Sequence, residues 1–478
     1  MNLRIADTWW RRWLDTEHLA TVFLFLVLAT VACLMPAQSD TWWQLRTGED
    51  IWRSGHIVLH DELTHTVAGS YWPNHEWLTQ LLFYGVYRLG GLPLLTAACA
   101  AAVLVTWQIA LRLTPGPALL RLMLVFCGAA FSTATWSLRP QVLSSAFFAT
   151  TLWILVRRRF LWILPPLFLI WANLHGGVAA GGVLIVAAVL ASVTLEPRRS
   201  MTLIGIALAC LIATAATPLG FSLWLEIPAS LARLKTYGVT EWIAPSVANP
   251  VEVPFWMTAT GLGVVVVSRR KALRSVDTAT LTLAAVLILG VALRSARNIP
   301  LFLICALPAL ATLLHDPSDR PSGQKARQPV PAFAAAVLAM SMLSAFTFVA
   351  YAWLTPLPRL EWKPLGEETI AAVAACEGPL YNRYDEGGYL EWFLKGRKVF
   401  IDSRQDPFPQ ELVLEQIRVE KTGDYAVMFR RYRIGCALTR ESSPLSSRLE
   451  RDGWRWRGGA KPWRVYRRPG PISIQAFR

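Results

Sequence analysis

Long apolar segments constrain the fold of this chain more than any other feature of its sequence. A helix of about 20 apolar residues is long enough to cross the hydrocarbon core of a bilayer. Apolar residues make up 54% of the 478 residues and charged residues 17%, and they form about eleven such segments. We therefore predict an α-helical polytopic membrane protein. The predicted spans are 19–36, 92–113, 118–138, 141–157, 160–174, 178–195, 201–217, 252–268, 278–293, 299–314 and 331–354.

The basic residues predict the orientation of these spans. The formal net charge is +15, and basic runs lie in short loops between apolar segments, as in cytoplasmic loops of membrane proteins. If the N-terminus with Arg11 and Arg12 is cytoplasmic, alternation places every run on the cytoplasmic side and the C-terminus outside. The charge therefore indicates topology rather than nucleic-acid binding. The runs are Arg157–Arg159, Arg198–Arg199, Arg269–Lys271 and Arg320–Arg327.

The composition changes after the last apolar segment. We predict a transmembrane domain at 1–354, with a first outer loop at 37–91, and an extracytoplasmic domain at 355–478. Strand-like runs at 398–401, 425–429, 434–438 and 463–466, with helical spacing at 411–418, predict a small α/β fold for this domain. Cys376 and Cys436 are its two cysteines, and an oxidising compartment would let them pair. The sequence leaves the pairing open.

The first outer loop carries the first candidate functional residue. Asp40 follows the first apolar segment, inside the sequence Ser39–Leu45. A carboxylate at the membrane edge can serve as a general base or a metal ligand. The alternative is structural, because Ser39 and Asp40 are good N-caps for a helix beginning at Thr41.

The same loop contains a dense group of carboxylates and imidazoles, including Asp61, Glu62, His75 and Glu76. Oxygen and nitrogen donors at this density can hold a divalent cation. Their spacing matches no established metal signature. The alternative is a polar, solvated loop in which Asn74 caps a short surface helix at 77–89.

Three arginines fall at predicted outer helix ends, where few are expected. Arg139 precedes Pro140, and a helix N-terminus beside an arginine attracts anions such as phosphate. Arg294 and Arg297 are three residues apart, and we expect them on one helix face near an anionic ligand. The alternative for Arg139 is an arginine whose aliphatic stem lies along the apolar surface.

Further polar residues lie in or near the outer loops. Asn173 and His175 precede two glycines at the outer end of the fifth span, where polar groups usually face a cavity or a partner. A structural His–Asn pair is the alternative. Glu241 lies in the second large outer loop, 218–250. In the C-terminal domain, a charge cluster at 402–406 indicates either a binding site or a loop salt bridge between Asp402 and Arg404.

With these residues identified, the chain resembles the GT-C superfamily of polyprenyl-phosphate-dependent glycosyltransferases. The resemblance implies a long first outer loop with an acidic residue just after helix one, which is Asp40 here, and a second acidic site, which Asp61 and Glu62 would fill. The chain departs from the best-studied members because it lacks a WWDYG-type motif and has about eleven spans rather than thirteen. The motifs that carry the resemblance are SDTWWQLRTGEDI (39–51), HDELTHT (60–66), NHEWLTQ (74–80), RPQ (139–141), NLHGG (173–177), TEWIAP (240–245), RSARN (294–298), YNRYDEGGYLEWFL (381–394) and VFIDSRQD (399–406).

The resemblance implies an inverting glycosyltransferase at the outer face of the bacterial cytoplasmic membrane. Its partners would be a polyprenyl-phosphate sugar lipid as donor, an envelope acceptor and membrane lipids, with no nucleic acid. A divalent metal ion stays open as a cofactor. The implied catalytic residues are Asp40, Asp61 and Glu62, and the implied substrate-binding residues are His75, Glu76, Arg139, His175, Glu241, Arg294 and Arg297.

Two other classes of function remain. A lipid-linked sugar transporter or flippase would use the same arginines without chemistry, but it should also carry polar residues on the inner halves of its helices, where this sequence has few. A non-catalytic assembly protein for envelope polysaccharide would bind a partner through its C-terminal domain.

Overall fold

The computed structural model describes residues 16–236, 240–315 and 332–469. Every predicted span overlaps a helix over these residues, although several bounds differ by a few residues. Arg11, Arg12 and the run Arg320–Arg327 lie outside the described residues. The helices up to residue 354 are α1 Thr16–Ala32, α2 Ser39–Ser54, α3 Trp77–Leu113, α4 Ala118–Ser132, α5 Pro140–Arg157, α6 Leu164–Leu174, α7 Val178–Leu195, α8 Pro197–Ala213, α9 Leu223–Thr236, α10 Val253–Ser268, α11 Val276–Ala292, α12 Ile299–Leu314 and α13 Ala332–Leu354.

Six helical segments among the described residues are long and apolar enough to cross a membrane. The protein is therefore a multi-pass membrane protein. Shorter apolar helices occupy Thr16–Ala32, Leu161–Leu174 and Val276–Ala292, so the predicted number of eleven crossings stays a prediction. The six are Trp77–Leu113, Ala118–Thr135, Val178–Leu195, Pro250–Ser268, Ala296–Leu314 and Ala336–Leu354.

The helix α3 contains a kink that separates the predicted surface helix from the predicted second span. Gly90 and Gly91 have non-helical backbone angles, and Gly91 has φ 64° and ψ −159°. Only glycine adopts this region readily, because it has no Cβ. The segment 77–89 is helical as predicted, and its position along the membrane surface stays a prediction.

The chain forms two compact units, which we call the helical unit and the α/β unit. The helical unit comprises Met1–Pro36, Leu92–Trp224 and Gly238–Arg359. The α/β unit comprises Ala37–Gly91, Leu225–Tyr237 and Leu360–Arg478. Residues 37–91, which the sequence assigned to the transmembrane domain as a loop, thus pack with the C-terminal segment. Local hydropathy cannot reveal this packing, because the partners are hundreds of residues apart.

Small residues allow close helix packing in the helical unit. The helix α7 packs against α11, and α11 against α12. Ala187 and Ala188 of α7 and Ala284 and Ala285 of α11 are all buried. Small side chains let helix backbones approach closely, which is how helices associate in a bilayer.

The α/β unit contains a four-stranded sheet with strand order β1-β2-β4-β3. The strand β1 is parallel to β2, and the other neighbours are antiparallel. A disulfide joins Cys376 to Cys436. Its elements are β1 Leu380–Tyr381, β2 Cys436–Arg440, β3 Arg455–Gly458, β4 Trp463–Arg467, α14 Glu367–Ala374, α15 Gly387–Phe393, α16 Gln410–Thr422, α17 Ala426–Arg431 and α18 Pro444–Arg451.

Two of the four predicted strands are present, at β2 and β4. The strand predicted at 425–429 is wrong, because this segment starts the helix α17. Its aromatic residues are spaced for helical contact, and the rings of Tyr425 and Phe429 lie 4.8 Å apart. The strand predicted at 398–401 is also wrong, since Val399 makes one isolated bridge to Thr64.

The first helix of the α/β unit, α2, packs against α15. The ring of Trp42 lies 4.8 Å from that of Phe393. The backbones meet so closely that a Cβ on Gly388 would lie 2.2 Å from the carbonyl oxygen of Ser39. A glycine is therefore required at position 388 for this contact, which brings the N-terminus of α2 onto the C-terminal segment.

Candidate functional site

The structure places Asp40 in the first turn of α2, which begins at Ser39 after the N-cap Gln38. The alternative in which Asp40 caps a helix beginning at Thr41 is therefore wrong. The half-buried Asp40 accepts hydrogen bonds on Oδ1 from Ser403 Oγ and, at 3.3 Å, from Trp43 Nε1. A carboxylate in the first turn also interacts favourably with the helix dipole.

A buried charge cluster lies directly beside Ser403 in the sequence. Arg404 binds Asp402 through Nε at 2.9 Å and Nη2 at 2.7 Å, and its Nη2 also donates to Asp61. Asp61 further accepts from Thr64 Oγ1 at 2.7 Å. The structure contains a salt bridge between Asp402 and Arg404. This was one of the two predicted explanations of the charge cluster at 402–406.

The buried charge cluster includes a third carboxyl group, that of Glu391. Burial raises the pKa of Glu391 well above its ordinary value, and the neighbouring Asp402 raises it further. Burial alone would lower the pKa of Arg404, but Asp402, Glu391 and Asp61 raise it overall. The cluster therefore combines one guanidinium group with three carboxyl groups, and burial favours the protonated form of Glu391.

The absence of a side chain at Gly387 lets the buried charge cluster pack closely against α15. A Cβ on Gly387 would lie 2.3 Å from the carbonyl oxygen of Ile401 and 2.5 Å from the Cα of Asp402. Since real Cβ atoms do not approach so closely, residue 387 must be glycine for the segment 401–404 to occupy this place. The cluster and Gly387 together fix Ser403 where it can donate to Asp40.

The other candidates of the first outer loop lie apart from the buried charge cluster. Glu62 is exposed. Glu76 accepts from Gln44 Nε2 at 2.5 Å, and its Oε1 lies 3.8 Å from His75 Nε2. Across residues 16–236, 240–315 and 332–469, no three His, Cys, Asp or Glu side chains form a group that could hold a metal ion.

Asn74 helps to fix the shape of this loop. Its amide exchanges two hydrogen bonds with Gln80, at 2.8 and 2.7 Å, and donates to the carbonyl oxygen of Val58. These bonds tie the start of α3 to the preceding loop.

In the helical unit, Arg139, Gln141, Glu241 and Arg297 form an arginine cluster. Glu241 Oε1 accepts from Arg139 Nη2 at 3.1 Å and from Arg297 Nη1. Arg297 Nη2 donates to Gln141 Oε1, and its guanidinium lies 4.8 Å from the ring centre of Trp242. Three of these residues were predicted separately, and the structure brings them together.

The electrostatics of the arginine cluster keep Glu241 ionised. Burial would raise the pKa of Glu241, but the positive charges of Arg297 and Arg139 and their hydrogen bonds outweigh burial and lower the pKa. Arg139 is the N-cap of α5, which has a proline in its first turn. Arg297 lies just before α12, which also has a proline in its first turn.

Arg294 lies apart from this cluster. The helix α11 ends at Ala292, and Ser295 has an extended backbone with φ −158°. The prediction that Arg294 and Arg297 share one helix face is therefore wrong, because the chain between them is not a continuous helix. Arg294 is exposed.

Asn173 and His175 make bonds that shape the connection between α6 and α7. Asn173 Nδ2 donates to the carbonyl oxygens of Leu169 and Ala216, each at 2.9 Å. His175 Nδ1 accepts from the backbone N–H of Gly177 at 3.0 Å. A Cβ on Gly177 would lie 2.2 Å from Ser144 Oγ, so close packing requires this glycine.

A cavity of about 30 Å³ adjoins the arginine cluster within the helical unit. Gln141 belongs to both, and Thr106, Thr135 and Ser145 line the cavity as well. A volume of this size is large enough for at least one water molecule. Most of the remaining lining is apolar, and Gln141 is the residue that the cavity shares with the arginine cluster.

Several of the residues in these clusters were not predicted as site residues. Ser403 lies in the motif 399–406 and Gln141 in the motif 139–141, and the role of each depends on a partner far along the chain. Glu391 lies inside the motif 381–394 but was not predicted as a site residue, because one glutamate between hydrophobic and aromatic residues is typical of many surface helices. Its burial comes from packing that the sequence does not display.

Comparison with known proteins identifies the fold. No protein-family model and no curated protein sequence matches the chain. A solved structure of the archaeal oligosaccharyltransferase AglB from Archaeoglobus fulgidus, in complex with an inhibitory peptide and a dolichol-phosphate, matches with a TM-score of 0.55 and 10% identity, over 91% of this chain and 70% of that chain. The chain therefore has the same fold as this oligosaccharyltransferase.

Two further structures of the Archaeoglobus fulgidus oligosaccharyltransferase match the fold of this chain as well. One is tethered to an acceptor peptide with the NVT sequon, and the other is the apo form. Each has a TM-score of 0.50 and 11% identity and matches 91% of this chain. The match covers 69% of the chain in the tethered structure and 70% of the chain in the apo structure. Identities this low establish the fold and leave the substrate to other evidence.

Proposed function

We propose that this protein is a membrane glycosyltransferase that moves a sugar from a polyprenyl-phosphate donor to an envelope acceptor. The observation that carries the proposal is the arginine cluster within a GT-C fold. The AglB structure with the same fold is in complex with a dolichol-phosphate, a polyprenyl lipid with the same kind of head group. No nucleic-acid partner is part of the proposal.

Arg139 and Arg297 would bind the donor phosphate. When the glycosidic bond to phosphate breaks, both bonding electrons go to the phosphate oxygen. Guanidinium groups stabilise this charge through paired hydrogen bonds. The exposed Arg294 would add a further contact at the lipid head group.

Asp40 would act as the general base. It takes the proton of the acceptor hydroxyl while the acceptor oxygen bonds to the anomeric carbon, and a direct displacement of this kind inverts the carbon. A positioned base contributes about 10²–10⁴ to the rate. Ser403 and Trp43 donate to Asp40 and would hold it in the required rotamer.

The remaining acidic and imidazole residues would have supporting roles. Asp61 is buried and bonded to Arg404, which favours a positioning role through the segment 402–404. Glu62, His75 and Glu76 would contact the acceptor, and His175 would support the donor. A metal ion is not part of the proposed mechanism.

We also propose that the N-terminus is cytoplasmic and that residues 355–478 are extracytoplasmic, in a bacterial inner membrane. The disulfide between Cys376 and Cys436 supports this orientation, because such bonds persist in oxidising compartments. The basic runs in the loops on the other side support it independently.

Mass spectrometry of lipids that co-purify with the protein tests the donor class. We expect a polyprenyl-phosphate sugar with the wild type and with Arg274→Ala, a control at an exposed arginine of the helical unit. Arg297→Ala should lose most of this lipid. If all three proteins retain the same ordinary phospholipids and nothing else, the lipid-linked donor is contradicted.

A transporter would also retain the lipid, so retention alone does not separate the two classes. Transfer of the sugar to an acceptor separates an enzyme from a transporter, because a transporter moves the intact lipid. A non-catalytic assembly protein would show neither retention nor transfer.

A further inference from the structure

The arginine cluster contains its own anion. One oxygen of Glu241, Oε1, accepts hydrogen bonds from Arg139 and Arg297 together. A single oxygen shared by two guanidinium groups is the arrangement that a phosphate oxygen also adopts with arginines.

The cations of the cluster are held more firmly than the anion. The side chains of Arg139 and Arg297 are 12% and 15% exposed, whereas that of Glu241 is 33% exposed. Arg139 is fixed at the start of α5, and Arg297 is fixed by Gln141 and by the ring of Trp242. Glu241 lies in the short segment Thr240–Trp242, between the longer helices α9 and α10.

Only the side chain of Glu241 has to move for the arginines to be released. The backbone from Glu241 to Ile243 is anchored, because the carbonyl oxygen of Glu241 accepts from Ser295 Oγ at 3.2 Å. The carbonyl oxygen of Ile243 accepts from the backbone N–H of Ala296 at 2.9 Å. Rotation about the side-chain bonds of a glutamate on the more exposed side of the cluster leaves these anchors intact.

The charge of the cluster favours a stronger anion than a carboxylate. Two guanidinium groups face one carboxylate, and the N-termini of α5 and α12 add partial positive charge at Arg139 and near Arg297. A phosphate carries more acceptor oxygens than a carboxylate and matches the planar donor pattern of arginine.

We propose that Glu241 is an internal counter-ion that occupies the phosphate site and leaves it when a lipid phosphate binds. This inference rests on the proposed function, because it takes the arginine cluster to be the phosphate site. Glu241 then competes with the donor phosphate and does not contact the substrate itself. In the absence of donor it offsets part of the charge of the two largely buried guanidinium groups and keeps them in place.

The test measures binding of farnesyl phosphate to the purified full-length protein. Glu241→Gln removes the competing charge at nearly constant size, and we expect it to bind farnesyl phosphate on the order of tenfold more tightly than the wild type. Glu252→Gln is the matched control, because Glu252 follows in the same loop and binds the backbone N–H of Ser246 at 2.5 Å. The control should bind as the wild type does, and Arg297→Ala should bind on the order of tenfold more weakly.

A second variant, Glu241→Asp, distinguishes an effect of the charge from an effect of misfolding. Glu241→Asp keeps the charge on a side chain shorter by one methylene group, so its affinity for farnesyl phosphate should lie between those of the wild type and Glu241→Gln. If Glu241→Gln and Glu241→Asp both fold and bind farnesyl phosphate no more tightly than the wild type, the counter-ion proposal is overturned. Such a result would mean that Glu241 supports the site, or that the phosphate binds elsewhere.

Inorganic phosphate and farnesol distinguish the sources of the ligand. A gain in affinity for farnesyl phosphate, without a gain for farnesol, assigns the site to a phosphate. An equal gain for inorganic phosphate assigns it to free phosphate and not to a lipid head group. Glu241→Gln could bind phosphate more tightly while the wild type transfers no sugar. This result would contradict the proposed function but would still support the counter-ion role of Glu241.

Discussion

At the residue scale, the contact between Asp40 and Ser403 connects the two ends of the α/β unit. The two side chains are 363 positions apart in the chain and are joined by a hydrogen bond. The sequence pointed to Asp40 because an isolated carboxylate after an apolar segment is a local signal. It gave no sign of Ser403 as a partner, because a serine in a charged loop has no local signature.

The variant Ser403→Ala tests whether this hydrogen bond positions the proposed base. Loss of a hydrogen bond to a charged group costs about 1.5–3 kcal/mol, so we expect kcat to fall by about tenfold or more with KM little changed. Ser403→Thr keeps the hydroxyl group and should retain most of the activity. An equal loss of kcat in both variants, or a change in KM alone, would show that the hydroxyl group of Ser403 does not position Asp40.

A buried carboxyl group elsewhere in the α/β unit predicts a pH dependence of stability. Burial raises the pKa of Glu386 to about 8, although Arg383 and Arg440 oppose the change. The folded state therefore binds more protons than the unfolded state between about pH 4.5 and pH 8. The free energy of unfolding should fall as the pH rises through this window, by at most about 1.4 kcal/mol per pH unit.

Glu386→Gln is neutral at every pH and should flatten this dependence. Thermal unfolding midpoints of the two proteins at pH 5, 6, 7 and 8 provide the comparison. A wild-type midpoint that rises with pH relative to that of Glu386→Gln would contradict the raised pKa.

At the element scale, the helices were easier to predict than the strands and their connections. Apolar segments of bilayer length leave the backbone few alternatives to a helix, and all the predicted spans are helical. The short strands of the C-terminal segment depend on pairing across the sheet. Local patterns therefore predicted β2 and β4 but mistook the start of α17 for a strand.

The kink in α3 predicts a glycine requirement at one position. Gly91 has φ 64°, and a side chain there would strain the backbone by about 1–3 kcal/mol. Gly91→Ala should lower the thermal unfolding midpoint of the purified protein. Gly261→Ala is the matched control, because Gly261 lies in α10 with no atom near its missing Cβ. Equal midpoints for the two variants would argue against the kink.

At the scale of the whole molecule, the main lesson concerns residues 37–91. The sequence assigned them to the transmembrane domain, because they lie between two apolar segments. In the structure they pack with Leu360–Arg478 in one compact unit. The proposed base and the serine that holds it therefore belong to the same unit, which hydropathy alone could not indicate.

The disulfide should contribute strongly to the stability of the α/β unit. Cys376 and Cys436 are 60 residues apart, and closing a loop of this length restricts the unfolded chain by about 4 kcal/mol in the loop-entropy model. Replacing both cysteines by serine should lower the temperature at which activity is lost. Cys127→Ser is the control, because Cys127 is an exposed free cysteine. Equal thermal inactivation of the two variants would contradict this prediction.

The most direct test of the account is sugar transfer by the purified protein in liposomes that contain a polyprenyl-phosphate sugar and an extract of envelope acceptors. We predict transfer by the wild type and by Asp424→Asn, which changes an exposed carboxylate of the α/β unit. Asp40→Asn should retain the lipid donor and lose transfer by about 10²–10⁴. Transfer that is unchanged in Asp40→Asn and in Arg297→Ala would contradict the catalytic account.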